Sequence, residues 1–264
     1  MDAKRIVVGT QSLGSDSWMG RFYPPDLASR DRIVFYSQVF GILELNVTFY
    51  APISRYVIRS WVERTPQSLL FSAKLPKAIT HEKRLLNAED ELRAFCASMR
   101  DFRDRLAAAV VQLPPSFDRS SEADLRAFLA LLPDDLAFTV EFRHPSWQHP
   151  DILALLADHR VAWCMNEYRD LAPTTEVTSD WAYVRLNGYH ERYSQAQGPV
   201  PEREDDLAYW AGVLSNLPES VLRTYVLIND HYAGHAPDAA NDLKRRLGLP
   251  TADPQSLWSQ LRLT

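Results

Sequence analysis

Within ten residues, the stretch "FTVEFRHPSW" (Phe138–Trp147) follows a run of β-formers with a carboxylate, a guanidinium and an imidazole: Glu141, Arg143 and His144. Taking charges of this kind out of water is costly unless each is paired or ligand-bound. A strand that ends in charge therefore points to a site. The pattern recurs: "LELN" carries Glu44 and Asn46, "FSAK" ends on Lys74, "VVQL" contains Gln112, "YVRLNG" carries Arg185 and Asn187, and "LIND" carries Asn229. Arginine offers a bidentate fork to phosphate or carboxylate and lysine adds a point charge, so Arg143, Arg185 and Lys74 together suit an anionic ligand. Glu44, Glu141, Lys74 and His81 are the acid/base candidates; His81 lies seven positions beyond Lys74 in "AKLPKAITH", and a neutral imidazole there can move a proton near pH 7.

Eight short strand-like runs must position these groups. They are "RIVVG" (Arg5–Gly9), "ILELN" (Ile42–Asn46), "LLFSAK" (Leu69–Lys74), "AAVVQL" (Ala108–Leu113), "AFTVEFR" (Ala137–Arg143), "VAWCMN" (Val161–Asn166), "AYVRLNG" (Ala182–Gly188) and "TYVLIN" (Thr224–Asn229). Amphipathic segments separate them, with helix starts at Ser54, at Ser121 with Asp124, and at Asp151. The link "EYRDLAPTTEVTSD" is too short and too rich in Thr and Pro for a full helix, so the sixth helical segment is expected to be irregular. Strands alternating with helices imply a parallel sheet. Eight units without an internal linker imply one (β/α)8 TIM-type barrel domain over residues 1–264.

In such a barrel successive side chains alternate between the helix layer and the interior. Val140 and Phe142 then face helices, while Thr139, Glu141 and Arg143 face in. In "ILELNVTFY", Leu43, Leu45 and Val47 face helices, and Glu44, Asn46 and Thr48 face in. The same sorting sends Ser72, Lys74, Gln112, Cys164, Asn166, Tyr183, Arg185, Asn187 and Asn229 inward. These polar groups gather at the C-terminal strand ends, where barrels of this kind carry their sites. His144, His231 and His235 fall in the loops above. Trp18 and Trp147 stand there as ligand-stacking walls or as a hydrophobic lid. The bland alternative is a polar plug, in which Glu44 and Glu141 neutralise Lys74 and Arg143 without any ligand.

Composition narrows the classes further. The 264 residues are 46% hydrophobic with a formal net charge of -5, which gives no support to a broad nucleic-acid surface but leaves a local basic pocket open. The two cysteines, Cys96 and Cys164, read as core thiols of a reducing compartment. The first apolar run breaks at Gly9, too early for a signal peptide, and no stretch is long enough to span a membrane, so a cytoplasmic chain is expected. No Gly-x-Gly-x-x-Gly follows the first strand, and there is neither a P-loop nor a Gly-x-Ser-x-Gly elbow, so no organic cofactor is expected. A divalent metal is the alternative, drawn from Glu44, Glu141, Asp230 and the loop histidines, but without a short ligand spacing.

Several stretches together resemble the YecE-like family, the domain of unknown function numbered seventy-two: "RFYPP", "LELNVTFY", "SWVERTP", "FSAKLPKAITH", "VVQLPPSF", "VEFRHPSW", "YVRLNG" and the spaced pattern from Asn229 to Ala236. They cover most of the chain in order. The resemblance implies a TIM-type barrel related in architecture to sugar-isomerase and endonuclease IV-like barrels, and it implies no particular reaction. Two positions depart from its pattern: Asn187 stands where a histidine is expected, and Ile228 where an asparagine is expected. The reading that results is an enzyme acting on a small phosphorylated or carboxylated substrate. Asn46, Gln112, Arg143, His144, Trp147, Arg185, Asn187 and Asn229 would bind it, and Glu44, Lys74, His81 and Glu141 would supply acid/base chemistry. The alternatives are a metal-dependent isomerase-like or phosphodiesterase-like enzyme, and a non-catalytic binder of nucleic acid or of a protein partner.

Overall fold

A computed structural model describes residues 6–14, 16–168, 171–188 and 204–261. Eight parallel strands close into a barrel in sequence order: β1 Ile6–Thr10, β2 Ile42–Leu45, β3 Leu70–Lys74, β4 Leu106–Gln112, β5 Phe138–Glu141, β6 Ala162–Tyr168, β7 Trp181–Gly188 and β8 Arg223–Ile228. All eight runs read from the sequence are present; Arg5 lies outside the described residues. β8 returns to β1 along five paired positions, from Ile6 opposite Thr224 to Thr10 opposite Ile228, which removes both sheet edges. Among the described residues, no helix is long and apolar enough to cross a membrane.

The strand parity holds. Leu43, Leu45, Val140, Phe142 and Ile228 join the large core between barrel and helices. Ile42, Ala108, Val110, Cys164, Tyr183, Tyr225 and Leu227 form a separate cluster, made of the opposite-parity residues that fill the lower barrel interior. Above that apolar layer the same faces carry Glu44, Gln112, Glu141 and Arg185, all buried. Ile228 thus lies behind the sheet, so its departure from the family pattern leaves the interior untouched.

Parity fails where a strand stops early. β2 ends at Leu45 and the chain turns into a short helix, Val47–Tyr50, which leaves Val47 51% exposed rather than against helices. Thr48 is buried, and its hydroxyl donates to the carbonyls of Leu45 (2.9 Å) and Lys74 (2.7 Å), tying the tops of β2 and β3 together. The helix starts shift slightly. Ser54 caps Arg55–Arg64 as expected, but Asp118 caps the turn before Glu122–Leu129, and His149 caps Pro150–Asp158. Residues 171–180, between β6 and β7, contain no helix, as their Thr- and Pro-rich composition predicts.

Candidate active site at the mouth of the barrel

Arg185, at the upper part of β7, is the hub of the interior. Its Nε and Nη2 grip Glu44 (3.0 and 2.8 Å), one Nη1 bond reaches Glu141, another reaches Gln112 (3.3 Å), and Nη2 also donates to Gln11 (2.9 Å). A guanidinium has five N–H donors. All five are taken by protein groups. Arg185 therefore holds the barrel together and has no donor left for a ligand, which corrects the sequence reading of it as an anion-binding residue. Burial disfavours its charge, but Glu141 and Glu44 overcome that and hold it firmly protonated.

The acceptors around Arg185 are equally satisfied. Tyr183 donates to Glu44 (2.9 Å) and contacts Ser72, and burial drives its phenol well above the usual range. Gln11 makes four bonds: its oxygen accepts from Arg185 and Asn229, and its amide donates to Asn187 (3.1 Å) and the Leu227 carbonyl (3.1 Å). Asn187 passes the chain on to Glu141 (3.2 Å). The asparagine that departs from the family pattern is thus a neutral link in this network. Asn166 donates to the Phe142 carbonyl (3.0 Å). Gly188 closes β7 with φ +64, and a Cβ there would lie 2.4 Å from the His231 carbonyl oxygen. Only glycine lets the loop bearing Asn229 approach so closely.

The rim differs. Arg143, just past β5, donates through Nε to Glu141 (3.0 Å) and lies over the Tyr168 ring at 4.1 Å. Its two terminal nitrogens have no acceptor among the described residues, and the side chain remains 15% exposed. Lys74, at the end of β3, is 8% exposed. Its Nζ lies 4.0 Å from the centre of the Phe49 ring, with no hydrogen bond or ion pair among the described residues. Burial lowers its pKa to about 7, helped by Arg185 and Arg143 and opposed by Glu44 and Glu141. His81 sits in a π-helical turn, Ala78–Glu82, a distortion common at functional sites. Its ring meets the edge of the same Phe49 ring (5.0 Å), and Nδ1 bonds Thr80 (2.9 Å). Burial, then Lys74 and Arg143, holds the imidazole near pKa 4, so it is neutral at pH 7.

Lys74 and His81 meet on the Phe49 ring, Arg143 and Glu141 share a hydrogen bond, and the charges of Lys74, Arg143 and Glu141 all reach His81. Burial would raise Glu141, but Arg143, Arg185 and Lys74 hold it at about 2. Asn46 donates to the Gln11 carbonyl, while its Oδ1 is buried with no partner among the described residues. The two tryptophans expected as ligand walls are core residues instead. Trp147 is fully buried behind β5, stacked on Phe117 and Phe142, with its indole N–H on the Phe117 carbonyl (2.6 Å), because the chain folds down after His144. His144 bonds Ser146 (2.8 Å) and caps its own turn. Trp18 is likewise buried and donates to Asp230 (2.9 Å). Sequence reasoning missed Gln11, Phe49 and Tyr168. Gln11 shares the parity of Gly9 and would have been found had β1 been extended by two residues.

The chain matches the family described as "Protein of unknown function DUF72" over residues 7–261, and it belongs to that family. It is 32% identical to UPF0759 protein YunF of Bacillus subtilis, over 86% of this chain and 89% of that one. It is 31% identical to UPF0759 protein YecE of Escherichia coli K12, over 42% of this chain and 41% of that one. A crystal structure of a DUF72 family protein from Thermotoga maritima superposes with TM-score 0.79 at 27% identity, covering 92% of this chain and 99% of that one. One from Enterococcus faecalis, at 18% identity and TM-score 0.74, covers 94% and 99% and shares the fold.

Proposed function

We propose that this member of the DUF72 family is an enzyme that holds a small phosphorylated or carboxylated substrate at the C-terminal mouth of its barrel and acts on it by acid/base chemistry. One observation carries the reading. Arg185 has every donor occupied by protein, whereas Lys74 and the terminal nitrogens of Arg143 have no acceptor among the described residues. Lys74 is a buried cation with no anion among the described residues, and Arg143 spends only its Nε on Glu141, so an ammonium and the open terminal donors of a guanidinium in one region invite an anionic group.

The roles follow from protonation. Arg143 is the fork that holds the anion. Lys74, near pKa 7, is the group able to give or take a proton at neutral pH, and His81, held near 4, stands beside it as a neutral imidazole that exchanges hydrogen bonds with the reacting groups. Glu141, held at about 2, is too weak a base for that work; it orients Arg143 and Arg185 instead. Both glutamates are engaged by arginine, which leaves the acid/base work to the other groups at the mouth.

Phosphate and sulfate test the reading by thermal melting. A ligand at ten times its Kd stabilises the native state by about 1.4 kcal/mol. Phosphate should raise the melting temperature of the wild type and lose that effect in Arg143→Ala. An equal shift in both proteins, or none in the wild type, overturns the anion site.

A further inference from the structure

Four lysines fall among the described residues, and three have partners. Lys77 pairs with Glu82 (3.3 Å), Lys83 with Glu91 (2.6 Å), and Lys244 donates to the Val39 carbonyl (2.9 Å). Lys74 is the exception. It is also buried, with the nearby carboxylates of Glu44 and Glu141 turned to Arg185 and an aromatic face under its Nζ. An amine that is desolvated and flanked by other cations is an activated nucleophile, because the charged form loses its advantage and the lone pair is available.

We infer that Lys74 is a covalent catalyst: its Nζ condenses with the aldehyde or keto group of a small carbonyl compound that carries a phosphate or carboxylate, giving an iminium at the end of β3. This rests on the anion-binding reading above for the orientation of the substrate, with Arg143 holding the anionic end. The nitrogen lone pair attacks the carbonyl carbon, and the carbon–oxygen π pair moves to oxygen. Two protons pass from nitrogen to that oxygen, which leaves as water while the carbon–nitrogen double bond forms. The imine nitrogen then takes one proton from solvent, so the net change is neutral amine plus carbonyl plus one proton to iminium plus water, with no outside oxidant or reductant. His81, against the same Phe49 ring, is placed to relay the protons. The lowered pKa of Lys74, about 7, agrees with this role, since a good share of the amine is neutral at physiological pH.

Borohydride trapping tests it. The full-length protein is incubated at pH 7.5 with dihydroxyacetone phosphate, pyruvate or glyoxylate, with uncharged dihydroxyacetone as control, then reduced and mapped by peptide mass spectrometry. An ordinary lysine, of pKa about 10.4, is only about one part in a thousand neutral at that pH. Lys74 should therefore be labelled about a hundredfold more than Lys77, Lys83 or Lys244. Lys74→Arg should show no adduct on a folded protein, and Arg143→Ala should slow labelling by the charged compounds to the rate of the uncharged one. Labelling spread evenly over the lysines, or no adduct on Lys74 with any of the three charged compounds, overturns the inference. If phosphate still raises the wild-type melting temperature in that case, the anion site stands and only the nucleophile falls. Equal labelling by charged and uncharged compounds, with no response to phosphate, overturns the anion reading and leaves the nucleophile in place.

Discussion

Arg185 and Lys74 sit in the same barrel, one strand-end layer apart, and live under opposite conditions. Arg185 lies on the floor of the mouth with five donors on five acceptors. Lys74 lies at the rim with none among the described residues. Both are buried and both are cations, so neither residue type nor burial separates them; hydrogen-bond saturation does. A saturated charge builds the fold, and an unsaturated one is held there by the fold at a cost in stability. That difference is what makes the rim, and not the floor, the place to look for a ligand.

Breaking the floor should have the largest effect. Arg185→Met leaves Glu44 buried without its counter-charge and Glu141 with Arg143 alone, and should cost about 3–5 kcal/mol in urea unfolding. A loss under about 1 kcal/mol would show that the network is not structural.

Acid should expose the same contrast. Glu141 is depressed in the folded state to about 2, so its contribution is present above its ordinary value near 4.5 and is lost as pH falls from there toward 2. His81, also depressed, takes up its proton in the unfolded chain first, so stability should already decline as pH falls from 6.5 toward 4. His81→Asn should flatten that upper part of the curve and leave the lower part, which Glu141 sets. Unchanged slopes in both windows would contradict the assignment.

Lys74→Met should move stability the other way. The folded protein resists the proton on Lys74 between about 7 and 10.5, so wild-type stability rises with pH across that window, and below it the buried ammonium is a standing penalty. Removing it should stabilise the protein by about 2 kcal/mol at pH 6, with the gain shrinking toward pH 10.5. The neighbours that set this balance are Arg185, Glu44, Glu141 and Arg143. Destabilisation at pH 6 would mean that Lys74 has a partner in solution.

The smallest effect belongs to the roof. Trp147→Phe removes one buried bond to the Phe117 carbonyl and should cost about 1 kcal/mol without changing the response to phosphate, because the ring packs behind β5. A lost phosphate response would return Trp147 to the site.

Much of this arrangement was legible in the sequence. Period-two patterning in a two-sided buried strand sorts residues without ambiguity, so Glu44, Gln112, Glu141, Arg185 and Asn187 were placed inward from their apolar neighbours alone. The errors arise where the strands end. Val47 reads as a strand residue because nothing in "LNVTFY" marks the switch from extended chain to helix, and the same gap hides Phe49, which supports Lys74. Gln11 was lost beyond Gly9, which looks like a strand terminator but continues β1. Trp147 and His144 follow Pro145 into a turn whose direction depends on packing against Phe117, a contact 30 residues away in sequence. Which of three inward cations would be saturated was not readable at all, because it depends on partners from four other strand ends.

Lys74 is a cation with no partner among the described residues, poised for an anion, and its own titration distinguishes that state from an ordinary lysine. Lysine 13Cε shifts, followed by NMR from pH 5 to 11 with and without phosphate and assigned through Lys74→Arg, report it. The account predicts that Lys74 titrates near 7 in the free protein, far below the other lysines, and moves upward when phosphate binds, since an anion favours the charged form. A Lys74 that titrates with the other lysines near 10 and ignores phosphate would contradict it.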